Sequence, residues 1–221
     1  MSRHSLQHLP GILAFAHDLL RRALRPGDCA VDATAGNGHD TLLLAQCVGE
    51  HGKVYAFDVQ ASALAATQAR LQQAGLQDRA ILIADSHARL RQHVPPGLRA
   101  AVFNLGYLPG SNKTVVTQAA STLSALEQTL DLLQPGGIVV LVIYSGHPGG
   151  NAESQAVQDW VQALNPQQAL AVQYGLLNQN GTPPYVIAIE KRLPAPTYQP
   201  SSLPDGLAGK PSLKNPNWKP E

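Results

Sequence analysis

The sequence contains few cysteines, little net charge and no long hydrophobic run. Two cysteines, Cys29 and Cys47, are too few for a disulfide framework or a cysteine metal cluster, although pairing between them stays open. They indicate a reducing, cytoplasmic location. No apolar run reaches membrane-spanning length and no signal-peptide pattern is present, so no membrane partner is expected. The net charge of +1 does not predict a polyanion binder by overall charge.

The 44% hydrophobic content of the 221 residues suits one domain with a sizeable core. We assign residues 1–192 to this domain. Residues 193–221 are rich in Pro, Ser, Gly and Lys, which predicts an extended or disordered tail. Basic residues near the chain start could contact phosphates or form a solvated surface: Arg3, Arg21, Arg22 and Arg25.

Hydrophobic periodicity predicts an α/β fold. A first helix covers about 9–24, and later helices cover about 39–48, 61–74, 87–92, 115–133 and 151–164. Strands are predicted near 28–34, 53–59, 79–85, 99–105, 137–144, 169–177 and 185–192. Five β–α alternations indicate a mostly parallel, seven-stranded, Rossmann-like sheet with helices on both faces. The connection between the last two strands is too short for a crossover helix, so the last strand is predicted to be antiparallel.

A glycine turn after the first strand predicts a cofactor site. The segment DATAGNGHDT covers residues 32–41 and opens a helix, where free N–H groups attract polar ligand atoms. The third glycine of a dinucleotide motif is replaced by Thr41, which disfavours an NAD oxidoreductase. The pattern D-x-x-x-G-x-G is typical of class I S-adenosylmethionine (SAM) methyltransferases. Residues predicted to hold the amino-acid part of SAM are Asp32, Thr34, Gly36, Asn37, Gly38, Asp40 and Thr41.

Acidic residues also end the second and third predicted strands. Asp58 lies twenty residues after Gly38, where a carboxylate can accept hydrogen bonds from both ribose hydroxyls. Asp85, Ser86 and His87 follow the third strand and are predicted to surround the adenine. Strand-end acids in register on three strands favour a cofactor site over three unrelated helix caps.

Two loops after the fourth and fifth strands contain the candidate catalytic residues. The first, NLGYLPG (104–110), places Asn104, Tyr107 and Pro109 where amino-methylating enzymes hold an amine, whose developing positive charge is stabilised by oxygen acceptors and an aromatic ring. The second, YSGHPGG (144–150), contains Tyr144 and His147; His147 could act as a base or contact substrate.

These motifs together resemble the MnmM/YtqB family, known in older labels as rRNA methylases. The resemblance covers about residues 9–192 through FAHDLL, DATAGNGHDT, AFDVQ, FNLGYLPGSNK, YSGHPGG and PPYVIAIEK. It implies a class I methyltransferase that uses SAM to methylate the aminomethyl group of wobble uridine, often 2-thiolated, in the tRNA anticodon loop. Residues at family-motif positions are His17, Asn37, Asp40, Asp58, Gln60, His87, Asn104, Tyr107 and His147.

Three kinds of role are predicted. The catalytic candidates are Asn104, Tyr107 and His147. Gln60 and Asn104 are also predicted to bind the cofactor. Substrate contacts are expected from His17, Tyr107, Pro109, Lys113, Tyr144 and His147. No metal is expected, and a homodimer stays open. Two alternatives also stay open: a methyltransferase acting on rRNA or a small-molecule amine, and a non-catalytic module that binds SAM or RNA.

Overall fold

The computed structural model describes residues 8–106, 117–146 and 149–193. The helices are α1 (Ile12–Ala23), α2 (His39–Val48), α3 (Ala61–Gln73), α4 (Ala119–Leu132) and α5 (Gly150–Gln162). The strands are β1 (Cys29–Asp32), β2 (Lys53–Phe57), β3 (Ala80–Ile83), β4 (Leu98–Leu105), β5 (Leu133–Ile143), β6 (Ala169–Gly175) and β7 (Tyr185–Lys191). Short 3₁₀ turns cover Gln77–Arg79 and His87–Gln92.

The seven strands form one sheet in the order β3-β2-β1-β4-β5-β7-β6. β7 pairs antiparallel with both β5 and β6, and the other pairings are parallel. The predicted mixed sheet with an antiparallel last strand is therefore confirmed. Its strand order reverses between β1 and β4, so the carboxyl ends of these strands open onto a crevice, where ligands of such sheets bind.

Buried side chains cover both faces of the sheet. On β5, Val139 and Leu141 point into a core that includes Leu126 of α4 and Val157 of α5. Val140 and its alternate neighbours point to the opposite core, against Leu20 of α1 and Leu44 of α2. The continuous hydrophobic run of this strand follows from burial on both sides, as expected in a largely parallel sheet.

β5 begins at Leu133, about four residues before the strand predicted near 137–144. Leu133 already pairs with Leu98 of β4, and the next pair is Ile138 with Ala100, so the residues between them form a bulge within β5. Gly136 has a φ of +77°, which glycine adopts without the steric cost of a side chain. Strand pairing therefore begins at Leu133, before the proline and glycines of this segment.

The N-terminal helix is shorter than predicted because Pro10 and Gly11 precede it in extended conformation. Gly11, the residue before the first helical turn, has a φ of −63° and a ψ of 163°. Two contacts hold this end of the chain on β6: the Tyr174 hydroxyl donates to the Pro10 carbonyl at 2.7 Å, and the Tyr174 ring stacks on Phe15. No helix in the described residues is both long and apolar enough to cross a membrane.

Two predictions about individual side chains can be compared with the structure. Cys29 and Cys47 are both free thiols, so the pairing left open by the sequence is not formed. Arg22 forms an ion pair with Asp18, and the Arg25 guanidinium donates to backbone carbonyls at the end of α1. Arg3 and the tail from residue 194 lie outside the described residues.

Candidate functional site

The glycine turn connects the end of β1 to the first residue of α2. Gly36 and Gly38 have φ values of +51° and +76°, and α2 begins directly afterwards at His39. The Gly36 carbonyl accepts a hydrogen bond from the buried Thr67 hydroxyl of α3 at 3.1 Å. The turn is thus attached to α3 and leads directly into the N-terminus of α2, where free N–H groups can bind a polar ligand.

Asp32 is completely buried beneath this turn. Its carboxylate accepts hydrogen bonds from the Thr41 hydroxyl at 2.6 Å and from the Thr34 N–H at 3.1 Å. Burial, followed by the nearby negative charge of Asp40, raises the pKa of Asp32 to about 7. Asp32 therefore fixes the start of α2 and the end of β1 relative to each other, and its charge changes close to neutrality.

Asp58 joins the end of β2 to the glycine turn. One carboxylate oxygen accepts the Gly36 N–H and the other accepts the Gln60 N–H, both at 2.9 Å. A carboxylate has about four acceptor positions, so each oxygen can accept one more hydrogen bond. This donor and acceptor set fits a ribose that offers two hydroxyls beside the turn, and it therefore fits a nucleoside-containing cofactor.

Gly38 is expected to be the least substitutable residue of the turn. A Cβ at this position would lie 2.7 Å from the Thr67 Cα, so the turn or α3 would have to move. Gly38→Ala should weaken SAM binding about tenfold or more, because small displacements of a binding element cost large factors. Calorimetric titration with SAM measures this effect.

Gly75→Ala is the matched control for the Gly38 substitution. Gly75 also has a left-handed φ, of +67°, but a Cβ there would meet nothing within 4 Å. Both variants share the backbone strain, and only Gly38→Ala introduces the steric clash. Equal SAM affinity in the two variants would contradict the placement of the turn.

The end of β3 contains the residues predicted to surround an adenine. The Asp85 carboxylate already accepts hydrogen bonds from the side chains of Arg89 and His93, and these two, Arg89 first, lower its pKa. The Ser86 hydroxyl caps the following turn by accepting the Ala88 N–H at 3.2 Å. The contacts from Arg89 and His93 were not predicted from the sequence.

His87 is buried at the same edge of the sheet. Its Nδ1 lies 3.0 Å from the Ala33 carbonyl, so this nitrogen carries the proton and donates. Burial lowers the pKa of His87, which keeps the ring neutral. Nε2 is then an acceptor with no hydrogen-bond partner in the part of the chain that the structure describes, and such an unpaired buried acceptor fits a ligand donor.

Asp40, in the first turn of α2, links two residues distant in sequence. Its Oδ1 lies 2.7 Å from His17 Nε2 of α1, and its Oδ2 accepts the Asn104 side-chain N–H at 2.7 Å. Burial by itself would raise the pKa of Asp40, but the hydrogen bonds from His17 and Asn104 outweigh it and lower the pKa. Asp40 is predicted from its position to hold the amino-acid part of SAM, and its contacts with His17 and Asn104 were not predicted.

Asn104 is therefore held in one orientation at the end of β4. Its backbone N–H donates to the Thr34 hydroxyl at 2.7 Å, and its side-chain nitrogen faces Asp40. The amide oxygen consequently points away from Asp40, and it accepts no hydrogen bond from residues 8–106, 117–146 or 149–193. A fixed carbonyl oxygen with an anion behind it can accept N–H groups and stabilise positive charge.

Tyr144 directly follows β5 and lies close to Asn104 and Asp40. Its backbone N–H donates to the Leu105 carbonyl at 3.0 Å, next to Asn104. Burial and then the charge of Asp40 raise the pKa of its hydroxyl, so Tyr144 stays a neutral donor. The structure thus brings His17, Asp40, Asn104 and Tyr144 together.

Four of the predicted site residues lie outside the described residues: Tyr107, Pro109, Lys113 and His147. Within the described ranges, no group of three His, Cys, Asp or Glu side chains could hold a metal ion. A cavity of about 600 Å³ lies between Asp131, Trp160 and Lys191, and none of the predicted site residues lines it. One buried acid close to Gly106, Glu153, was not predicted as a site residue.

One relative and two solved structures are 36–39% identical in sequence to this chain. Residues 54–190 match the family described as "Putative rRNA methylase". A chloroplastic tRNA (mnm(5)s(2)U34)-methyltransferase of Arabidopsis thaliana is 36% identical over 186 residues, covering 80% of this chain and 68% of the relative. An rRNA methylase structure from Clostridium thermocellum is 36% identical with a TM-score of 0.82 and covers 84% of this chain and 100% of its own.

A structure from Streptococcus mutans, described as a "putative methyltransferase", was solved with S-adenosylhomocysteine (SAH), the product of SAM after methyl transfer. It is 39% identical, covers 83% of this chain and 99% of its own, and has a TM-score of 0.77. The resemblance identified from the motifs is confirmed by these matches, and so is the predicted cofactor. The chain belongs to the rRNA methylase family, and it is a methyltransferase whose cofactor is S-adenosylmethionine.

Proposed function

We propose that the protein methylates the aminomethyl nitrogen of a wobble uridine, often 2-thiolated, in the anticodon loop of tRNA. The observation that carries the proposal is the orientation of Asn104, whose amide nitrogen is bound by Asp40 and whose oxygen is left to accept an N–H. The name of the 36% identical Arabidopsis relative, which specifies U34 of tRNA, supports the same substrate. Anticodon-loop bases are unpaired and can be splayed into a protein site.

The acceptor residues suit an amine that becomes positively charged as it is methylated. SAM supplies an activated methyl group on its sulfonium, so the protein contributes mainly positioning and electrostatics. The Asn104 oxygen accepts one N–H of the amine, and the Asp40 anion, kept ionised by its lowered pKa, stabilises the developing charge through the amide. His17 keeps the second Asp40 oxygen engaged, so the carboxylate cannot rotate away from Asn104.

The predicted cofactor residues lie along the same edge of the sheet, and each group of them is assigned to one part of SAM. We assign the ribose to Asp58, with Gln60 beside it, and the amino-acid part to the turn from Asp32 to Thr41. Ser86 and the unpaired Nε2 of His87 face the adenine in this proposal, with Asp85 behind them. Tyr107, Pro109, Lys113 and His147 remain substrate or catalytic predictions from the resemblance.

A direct test is methyl transfer to purified tRNA carrying 5-aminomethyluridine or its 2-thio form. Nucleoside mass spectrometry should find one added methyl on the exocyclic nitrogen. The matched control is the same tRNA with unmodified uridine at position 34, which should stay unmethylated. Methylation of rRNA or of a free small amine, with this tRNA untouched, would show that the substrate is wrong while the methyltransferase chemistry stands.

The rRNA alternative has one observation in its favour, the description of the matched family. The acceptor group separates the two proposals. An rRNA nucleotide offers a ring atom, an exocyclic arylamine or a ribose hydroxyl as the methyl acceptor. The tRNA substrate instead offers an aliphatic amine that is protonated at neutral pH. Their pH dependence should therefore differ.

The rate of methyl transfer should rise with pH and then level off. An ammonium has no lone pair, so only the neutral amine can attack the methyl group, and its fraction increases as the amine deprotonates. Asp32 also becomes charged near pH 7, so rates should be measured at saturating SAM, with SAM affinity determined separately at each pH. A rate constant that is flat across this range would argue against an aliphatic amine as the acceptor.

A further inference from the structure

Glu153 is a buried carboxylate in the first turn of α5. Its side chain is only 3% exposed, and its two oxygens accept the Thr117 hydroxyl at 2.6 Å and the Thr122 hydroxyl at 2.7 Å. It forms no salt bridge with a described residue. A buried charge is costly unless hydrogen bonds compensate it, and these two hydroxyls contribute that compensation.

The Thr117 hydroxyl transmits this contact to the end of β4. Its oxygen accepts the Gly106 N–H at 3.0 Å while its proton is donated to Glu153. In return, the Thr117 N–H donates to the Gly106 carbonyl at 3.0 Å. Gly106 and Thr117 are therefore held against each other by two hydrogen bonds, and Glu153 fixes the hydroxyl that makes one of them.

The same carboxylate also reaches α4 and α5. Thr122 is in the first turn of α4 and is fully buried, and Glu153 itself belongs to α5. An acid in the first turn of a helix is further stabilised by the positive end of the helix dipole. One side chain thus joins the end of β4, the start of α4 and the start of α5.

We propose that Glu153 is a positioning residue for methyl transfer. It acts by fixing Gly106 and, through it, Asn104 two positions earlier, whose amide oxygen accepts the N–H of the substrate amine. This inference rests on the proposed role of Asn104. Glu153 itself does not contact the amine that receives the methyl group. A carboxylate can accept from two hydroxyls at once, one at each oxygen, whereas an amide has one oxygen and would present N–H groups to the other hydroxyl.

The threonines provide a matched set of variants in the full-length protein. Thr117→Val removes the hydroxyl, and with it the bond from the Gly106 N–H and the bond to Glu153, but leaves the backbone bond to the Gly106 carbonyl. Thr117→Ser retains all three bonds. Thr122→Val removes a more deeply buried bond to Glu153 but leaves Thr117 and Gly106 joined. Glu153→Gln keeps the size of the side chain and removes its charge.

The first measurement is amide hydrogen exchange of Gly106 and Thr117 by NMR, which requires no substrate. Exchange should accelerate about tenfold or more in Glu153→Gln and Thr117→Val, because a lost partner in a buried bond has an effect of this size. Thr117→Ser and Thr122→Val should change it less than threefold. Wild-type exchange rates in Glu153→Gln would overturn the proposal.

The second measurement is kcat and SAM affinity at a temperature well below the Tm of every variant. Glu153→Gln and Thr117→Val should lower kcat about tenfold with unchanged SAM affinity, and Thr117→Ser should restore it. If the role is only structural, Thr122→Val would lower Tm and kcat as much as Thr117→Val, which overturns the proposal. A wild-type enzyme that is inactive on tRNA would overturn the proposed substrate, and hydrogen exchange would still decide the role of Glu153.

Discussion

Replacing Asp58 with alanine should weaken SAM binding by about one to two orders of magnitude. A hydrogen bond to a charged group contributes roughly 1.5–3 kcal/mol, and the carboxylate has an acceptor position left on each oxygen for the ribose. The substitution also releases the Gly36 N–H, which Asp58 binds at 2.9 Å, so the glycine turn loses one of its anchors. Isothermal titration of the purified variant with SAM measures the loss.

Two further variants show whether the Asp58 effect is specific. Asp58→Asn retains one acceptor oxygen but no charge, and its SAM affinity should lie between those of the wild type and the alanine variant. Asp159→Ala removes an exposed acid whose side chain, among the described residues, accepts a hydrogen bond only from Gln155 of α5, and this variant should bind SAM normally. Wild-type affinity in a folded Asp58→Ala protein would exclude Asp58 from the cofactor site.

Replacing Asn104 with alanine should lower kcat by about two orders of magnitude, with little change in SAM affinity. Removal of one fixed group that stabilises charge in a transition state has an effect of this size. The amide oxygen interacts most strongly once the amine carries positive charge, so its loss affects the rate constant more than ground-state binding. Labelled-methyl transfer at saturating SAM and tRNA gives kcat, and calorimetry gives the affinity.

The control for Asn104 uses the other partner of Asp40. His17→Gln keeps a side-chain N–H that can reach the carboxylate and leaves the amide of Asn104 in place, so kcat should fall much less than in Asn104→Ala. A variant Asn104→Ala with normal kcat and poor SAM binding would instead place Asn104 in the cofactor site. Similar losses of kcat in both variants would indicate that Asp40, rather than the amide oxygen, is the decisive group.

The sequence predicts the order of elements and the direction of the last strand because these depend on local patterns. Alternation between strand and helix periodicity is visible within ten to twenty residues, and the short link before Tyr185 excludes a crossover helix. The strand-end positions of Asp32, Asp58 and Asn104 follow from the same reasoning, since parallel strands bring their carboxyl ends to one edge. Local pattern therefore locates the site.

The partners within the site could not be predicted, because they are determined by packing between distant elements. Asp40 meets His17 and Asn104 across 23 and 64 residues of sequence, and no local pattern indicates which side chains will face each other. Glu153 likewise meets Thr117 and Thr122 across 36 and 31 residues of sequence. The bulge in β5 was missed for the same reason, since register is a property of two strands.

The contact between His17 and Asp40 also affects how the molecule unfolds. A helix near a chain terminus normally opens at low free energy, independently of the core. Here α1 supplies one of the two partners of Asp40, and the acceptor residue Asn104 is the other. Opening of α1 would therefore remove a support of Asn104, and a substrate bound at Asn104, where we propose that it binds, should in turn disfavour that opening. We therefore expect α1 and the proposed acceptor site to open as one cooperative unit, although residues 54–190 alone match the family.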